Sequence, residues 1–324
     1  MGAARRCPVV TICLIVATAP TAASAADAQH AVGPSPTLTG TAGLLRVSTT
    51  DIGAAGSVRV ALYGGLSRAN DFLVLGDVNT KVAADVAAGF ALRRQVELFG
   101  AVRAARNRNE QNATPAGAAS ASTVWSGGFD AGGKVATTLR PGLAGAGELG
   151  VRLPFDAGSW PGSGAAWITA IGSFDLAALT AVPLRAHLNL GFYADGSRNQ
   201  IDFTGQSASA RQVSMFAYGM GASCVRGAVG IDAPLESVTG RLGLRPFAEY
   251  HVEFVVAPAD AALSDQSPYN RDQHWLTFGL RARAAANINA IAGFDLTVRQ
   301  IGIPFGPPLP PWSVFAGAAA PFQF

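Results

Sequence analysis

Residues 274–300 read HWLTFGLRARAAANINAIAGFDLTVRQ, and their period decides the fold. Leu276, Phe278, Leu280, Ala282 and Ala284 fall on one side of an extended chain, with Thr277, Gly279, Arg281 and Arg283 on the other. After a break at Asn287-Ile-Asn289, Ala290, Ala292, Phe294, Leu296 and Val298 again share a face, opposite Asp295 and Arg299. Successive side chains of a strand point to opposite faces of its sheet, so a period of two marks strands. The polar break marks a tight reversal between antiparallel neighbours.

The same pattern spreads outward over nearly the whole chain. Val82, Ala84, Val86, Ala88, Phe90 and Leu92 share a face in 79–92, with Lys81, Asp85 and Gly89 opposite. Comparable faces occur at 56–66, 95–105, 129–139, 146–153, 167–178, 184–193 and 247–256, while helical spacing is hardly seen after Gly56. The composition of the 324 residues fits: 49% are hydrophobic and only 14% charged, with 38 glycines and 19 prolines. Disorder, collagen-like repeats and a disulfide scaffold are excluded.

The opening MGAARRCPVVTICLIVATAPTAASA pairs Arg5 and Arg6 with an apolar stretch and small residues before a cut expected after Ala25, the layout of a secretory signal. Its apolar run falls short of the ~18–20 residues that a spanning helix needs. Cys13 follows Ile12 inside that run, which disfavours a lipoprotein. Loss of 1–25 leaves 22 basic against 21 acidic side chains, so a basic nucleic-acid binder is not expected. Cys224 then stands as the one cysteine, and no intrachain disulfide can form.

Which face points inward separates two architectures. A soluble sandwich buries the apolar face, whereas a membrane barrel turns it to lipid and encloses the charges. The apolar positions are rich in Ala, Leu and Val and low in bulk, a poor filling for a sandwich core. Strands of about 10–14 residues exceed the usual ~5–6 of soluble sheets and suit a tilted bilayer crossing. The expected fold is an all-β, closed, antiparallel up-and-down transmembrane β-barrel over 56–324, preceded by a periplasmic or plug segment at 26–55.

The last residues strengthen this reading. Trp312, Val314, Ala316, Ala318, Ala320, Phe322 and the terminal Phe324 alternate along 312–324. This ending resembles the closing strand of bacterial outer-membrane β-barrel proteins of porin-like kind, from which Pro321 departs. The resemblance implies a place in the outer membrane of a Gram-negative cell, contact with outer-membrane lipid, and recognition of Trp312, Phe322 and Phe324 by the barrel assembly machinery. GTAGLLRVSTTDIGAAGSVRV at 40–60 also resembles a Gly-Leu-rich entry segment found before some such barrels.

Long polar or Pro/Gly-rich connections at 67–78, 106–121, 154–164, 197–211, 257–272 and 301–311 alternate with short ones near Arg93-Arg94, 140–143, 180–183 and 287–289. Six long loops imply twelve strands with both termini in the periplasm. Three strand-like runs within 210–256 keep fourteen as the alternative. Trp125, Trp167, Trp275 and Trp312 each open a strand after a long loop, so they are expected as interfacial aromatics at the external rim. Trp160 falls within a long loop.

Enclosed positions then include Arg59, Lys81, Arg103, Lys134, Arg152, Arg185, Arg281, Arg283 and Arg299, with Asp85, Glu97, Asp130, Glu148, Asp175, Glu249, Glu253 and Asp295. His187 and His251 join them. Near balance favours an ion-pair network or a weakly selective polar pore. Twelve strands lie between barrels filled by side chains and open porins, so any passage is narrow.

Motifs for chemistry are weak. Gly145–Gly150 has dinucleotide-loop spacing but lacks the following helix that such a loop requires. Glu249, His251 and Glu253 share a face about 6–7 Å apart per two residues, which does not converge them on one ion. HExxH, GxSxG and CxxC are missing, and Asn112-Ala-Thr114 reads as plain loop sequence. The expectation is a narrow porin-like channel for passive diffusion of small polar solutes, without cofactor or enzymatic activity. Two alternatives remain: a structural or surface-interaction barrel with a sealed lumen, and an outer-membrane lipid or peptide hydrolase.

Overall fold

The computed structural model describes residues 35–72, 75–111, 120–155, 164–180, 182–196, 216, 222–235, 239, 242–257, 272–298 and 310–324. The leader 1–25, residues 26–34, Trp160 and Arg299 lie outside them.

Two short strands, β1 (Ser35–Pro36) and β2 (Ala42–Gly43), pair with each other. Twelve longer ones follow: β3 (Ser57–Asn70), β4 (Val78–Arg93), β5 (Val96–Gln111), β6 (Ser120–Arg140), β7 (Leu143–Pro154) and β8 (Ala165–Asp175). The second half contributes β9 (Arg185–Asp195), β10 (Ser223–Asp232), β11 (Arg245–Ala257), β12 (Gln273–Ala285), β13 (Ile288–Thr297) and β14 (Trp312–Gln323). Each pairs antiparallel with its sequence neighbours, and β14 pairs with β3 to close the barrel. Closure leaves no free edge, which is what permits strands to cross a bilayer.

The count is twelve. Only β10 and β11 occupy the described part of the ambiguous stretch, joined through 233–244 on the same end as the short turns. The hairpin of β5 and β6 runs further than the periodicity suggested, with its register reaching Gln111 opposite Ser120. Outward positions there change from Val102 and Ala104 to Arg106, Arg108 and Glu110, while Asn107 and Asn109 stay buried inside. Beyond the apolar band an outward residue faces water, so hydrophobic alternation fades while pairing continues.

The outer wall carries large apolar side chains in the open: Leu149 is 64% exposed and Ile168 63%, with Leu62, Val82, Leu98, Leu190, Phe278 and Phe294 in the same register. A continuous apolar belt of this kind is untenable in water and is what hydrocarbon solvates.

Inside, the chain from β1 to residue 55 occupies the barrel. Leu44, Leu45 and Val47 are buried against inward residues Ala61, Tyr63, Ala87, Ala101, Phe247, Ile291 and Ala319. Gly40 has φ +99, and a Cβ there would overlap the Gly100 carbonyl oxygen. Only glycine meets both demands, a left-handed backbone and direct contact with the wall.

Candidate functional site in the lumen

The inner segment is held mainly through its backbone, by ionised side chains of the wall. Glu249 on β11 accepts from three consecutive amides: Leu45 at 2.9 Å, Arg46 at 3.1 Å and Val47 at 3.0 Å. Its other oxygen meets His251 Nε2 at 3.2 Å. Alternation along β11 aims Glu249 and His251 at the same interior, and the opposing Thr277 leaves room between them and the segment.

Across the lumen, Glu97 and Lys134 sit directly opposite on β5 and β6 and form a 2.8 Å ion pair. Glu97 also pairs with Arg59 and accepts from Thr41 Oγ1 at 3.3 Å and the Ala42 amide at 3.2 Å. Lys134 donates to the carbonyls of Ala42, Thr49 and Asp51 at 3.2, 2.9 and 2.9 Å. Beyond its short β1–β2 pairing and a few turn bonds, the segment would otherwise bury unpaired amides and carbonyls, at about 1–3 kcal/mol each.

Further contacts complete the grip. Glu148 accepts from Ser48 Oγ at 2.9 Å, and Arg281 donates to the Gly43 carbonyl. Tyr63 donates its hydroxyl to the Pro36 carbonyl. Arg46 reaches the other way, 2.7 Å from Asp295, which also accepts from Thr277 and Ser313. Burial alone would lower the Arg46 pKa. Asp295, with Glu249 and Asp85 beyond, reverses that and holds it above its ordinary value.

Near the short turns, Ser173 Oγ lies 2.8 Å from His187 Nδ1, and His187 Nε2 lies 2.9 Å from Asp232, which Arg245 also contacts. The order resembles a nucleophile, base and carboxylate. However, His187 is buried, and the Ser173 hydroxyl accepts the Thr50 amide at 3.1 Å. The inner segment thus lies against the Ser173 hydroxyl, and the relay holds the Thr50 amide. Arg185 ties Asp175 at 3.0 Å and Asp51 at 3.6 Å, while Arg283 lies beyond them on β12, also in the inward register.

On the long-loop side the segment bounds a cavity of about 420 Å³. Arg103 reaches Asp130 at 2.8 Å and Asp85 at 3.7 Å, and Arg152 binds Asp130 through two contacts of 2.7 and 3.1 Å. Arg226, not singled out from the sequence, pairs with Glu253 at 2.7 Å and lies 3.5 Å over the Tyr193 ring. Lys81 faces the Phe216 ring at 5.3 Å.

Two aromatic assignments need correction. Trp167 and Trp275 turn inward and do not belong to a lipid-facing girdle. The Trp167 indole donates to Glu148 at 2.9 Å and its ring stacks between Phe99 and Tyr193. Trp275 stacks on His251 at 5.0 Å and 8°. Both share strand parity with inward polar residues, Thr169 and Thr277 respectively, and parity outweighs proximity to a strand end. Trp125 and Trp312 point outward.

No protein-family profile matches the sequence, and no curated protein does. Solved structures do. An outer-membrane channel from Pseudomonas putida F1 superposes with a TM-score of 0.52 at 9% identity, over 84% of this chain and 98% of that one. The chain has the fold of a bacterial outer-membrane β-barrel. The NanC porin and the translocator domain of autotransporter NalP from Neisseria meningitidis each reach 0.47, at 10% and 9% identity. They cover 81% and 85% of this chain and 98% and 91% of their own.

Proposed function

We propose that the barrel is an outer-membrane channel for small polar solutes, entered by passive diffusion, in which residues 35–55 act as an internal plug. The observation that supports this reading most is the way the plug is held. Hydrogen bonds and ion pairs from wall side chains fasten it, beside the packing of Leu44, Leu45 and Val47, and its two short strands pair with each other rather than with the wall. A sheet continuous with the wall could not come away without opening the barrel. Above it the 420 Å³ cavity offers solutes an entry of small-molecule size. Outer-membrane lipid surrounds the apolar belt, and β14, with Phe322 outward and Phe324 free, is the segment offered to the assembly machinery.

Planar-bilayer recording tests the channel. The mature chain should give small or intermittent currents, and a variant beginning at Ala54 should give larger, steady ones. A folded truncated barrel without current overturns the channel reading and favours a sealed barrel acting through its surface.

A further inference from the structure

The wall of the outer cavity holds bases and acids in nearly equal number, yet they are not equally placed. Arg46, Arg103, Arg152 and Arg226 keep between 25% and 39% of their side-chain surface open. The carboxylates they pair with, Asp295, Asp85, Asp130 and Glu253, keep between 0% and 14%. Asp130 is fully covered, and Asp85, Glu253 and Asp295 line the cavity with less of each side chain open than of its arginine. A solute therefore meets guanidinium first, at a surface whose formal charge almost cancels.

The arginines are also fixed in place. Asp130 holds Arg103 and Arg152 together from below, and the Tyr193 ring supports Arg226 from one face. Arg152 Nη1 reaches the Tyr193 hydroxyl at 3.3 Å, so Arg152 and Arg226 converge on one aromatic ring from neighbouring positions. Guanidinium groups held this way lose little freedom on binding, and with Arg152 Nε and Nη2 on Asp130 and Arg226 Nε on Glu253, their remaining Nη hydrogens are what they offer to a carboxylate. Asp195 also borders the cavity and, with Asp85, sets a limit on how many negative charges it accepts.

The geometry points to a binding subsite for small organic carboxylates between Arg152 and Arg226, within the cavity above the plug. It names the solute class of the proposed channel and rests on that reading for its role, while its test rests on binding. The volume suits a compact mono- or dicarboxylate better than a polymer.

Calorimetric titration of the folded full chain in detergent micelles tests it, with succinate as the probe and its uncharged diamide and butane-1,4-diamine as comparators. Succinate should bind saturably and more weakly as salt rises, and the two comparators should not. Arg226→Gln should weaken succinate at least tenfold. Glu253→Gln, which frees Arg226 from its carboxylate, should tighten it several-fold. Folding of each variant is checked by its shifted mobility when unheated. If Arg226→Gln does not fold, the sign of the Glu253→Gln effect decides.

Absence of saturable succinate binding, equal binding of the diamine, or an unchanged affinity in Glu253→Gln overturns the subsite. Binding without any current from the truncated barrel overturns the channel and leaves the subsite standing.

Discussion

Glu97 and Lys134 face each other 2.8 Å apart across β5 and β6, and both turn their remaining bonding capacity on the same piece of backbone. Glu97 takes the Ala42 amide while Lys134 takes the Ala42 carbonyl. One wall pair thus satisfies both polar groups of one plug residue. Neither side chain is exposed, so water does not substitute for either.

Lys134→Met follows directly. It removes a donor from three plug carbonyls, of which that of Ala42 keeps the Thr49 amide at 3.0 Å, and leaves Glu97 with Arg59 as its cation; breaking a buried pair costs about 3–5 kcal/mol. Urea unfolding in micelles should show a loss of that order. Lys134→Arg, which keeps the charge, should lose less. Equal losses for both would mean that shape, not charge, matters at this position.

Gly40→Val should release the plug without unfolding the barrel. The added atoms overlap the Gly100 carbonyl and the left-handed backbone excludes a β-branched residue. Trypsin provides the readout, because Arg46 lies in the held segment. Cleavage after Arg46 should be slow in the parent and rapid in the variant, with the barrel's unheated mobility retained.

How much of this was legible beforehand depends on what alternation can encode. Period two distinguishes two faces, so Leu276 to Ala284 and Arg281 could be sorted to opposite sides without knowing a single contact. Direction is not partnership, however. Alternation places Glu249 inward, but nothing in its neighbours reveals that three amides of residues 45–47 are its partners, since those lie about 200 positions away. Trp275 is a different kind of miss. Its parity with Thr277 is legible and points inward, while its place at a strand end after a long loop points to the rim. Arg226 lay in a stretch where glycines and alanines dilute the period, and it emerges only from the pairing of β10 with β9 and β11.

The apolar belt makes its own prediction. Leu190 lies outward at the centre of β9 and is 59% exposed, so Leu190→Arg places a cation in hydrocarbon at a cost of about 2–4 kcal/mol. Equilibrium unfolding into and out of phospholipid vesicles should show it. The same substitution is expected to cost little at Arg106 and Arg108's end of β5, where outward residues are already charged, and Val102→Arg against Ala104→Arg would trace where the belt ends.

The proposed assembly signal at Phe324 can be tested apart from the stability of the barrel. Phe324 is 91% exposed among the described residues, although β14 just before it closes the sheet through eleven residue pairs with β3. Phe324→Ser should therefore leave the unfolding midpoint of barrel refolded in micelles within about 0.5 kcal/mol of the parent, as for other surface changes. In cells the same substitution should lower the amount of folded barrel in the outer membrane several-fold, read by unheated mobility of membrane fractions. Equal amounts in cells would show that the terminal aromatic is not what the assembly machinery reads. A large loss in micelles would instead mean that Phe324 has a packing partner in the folded state.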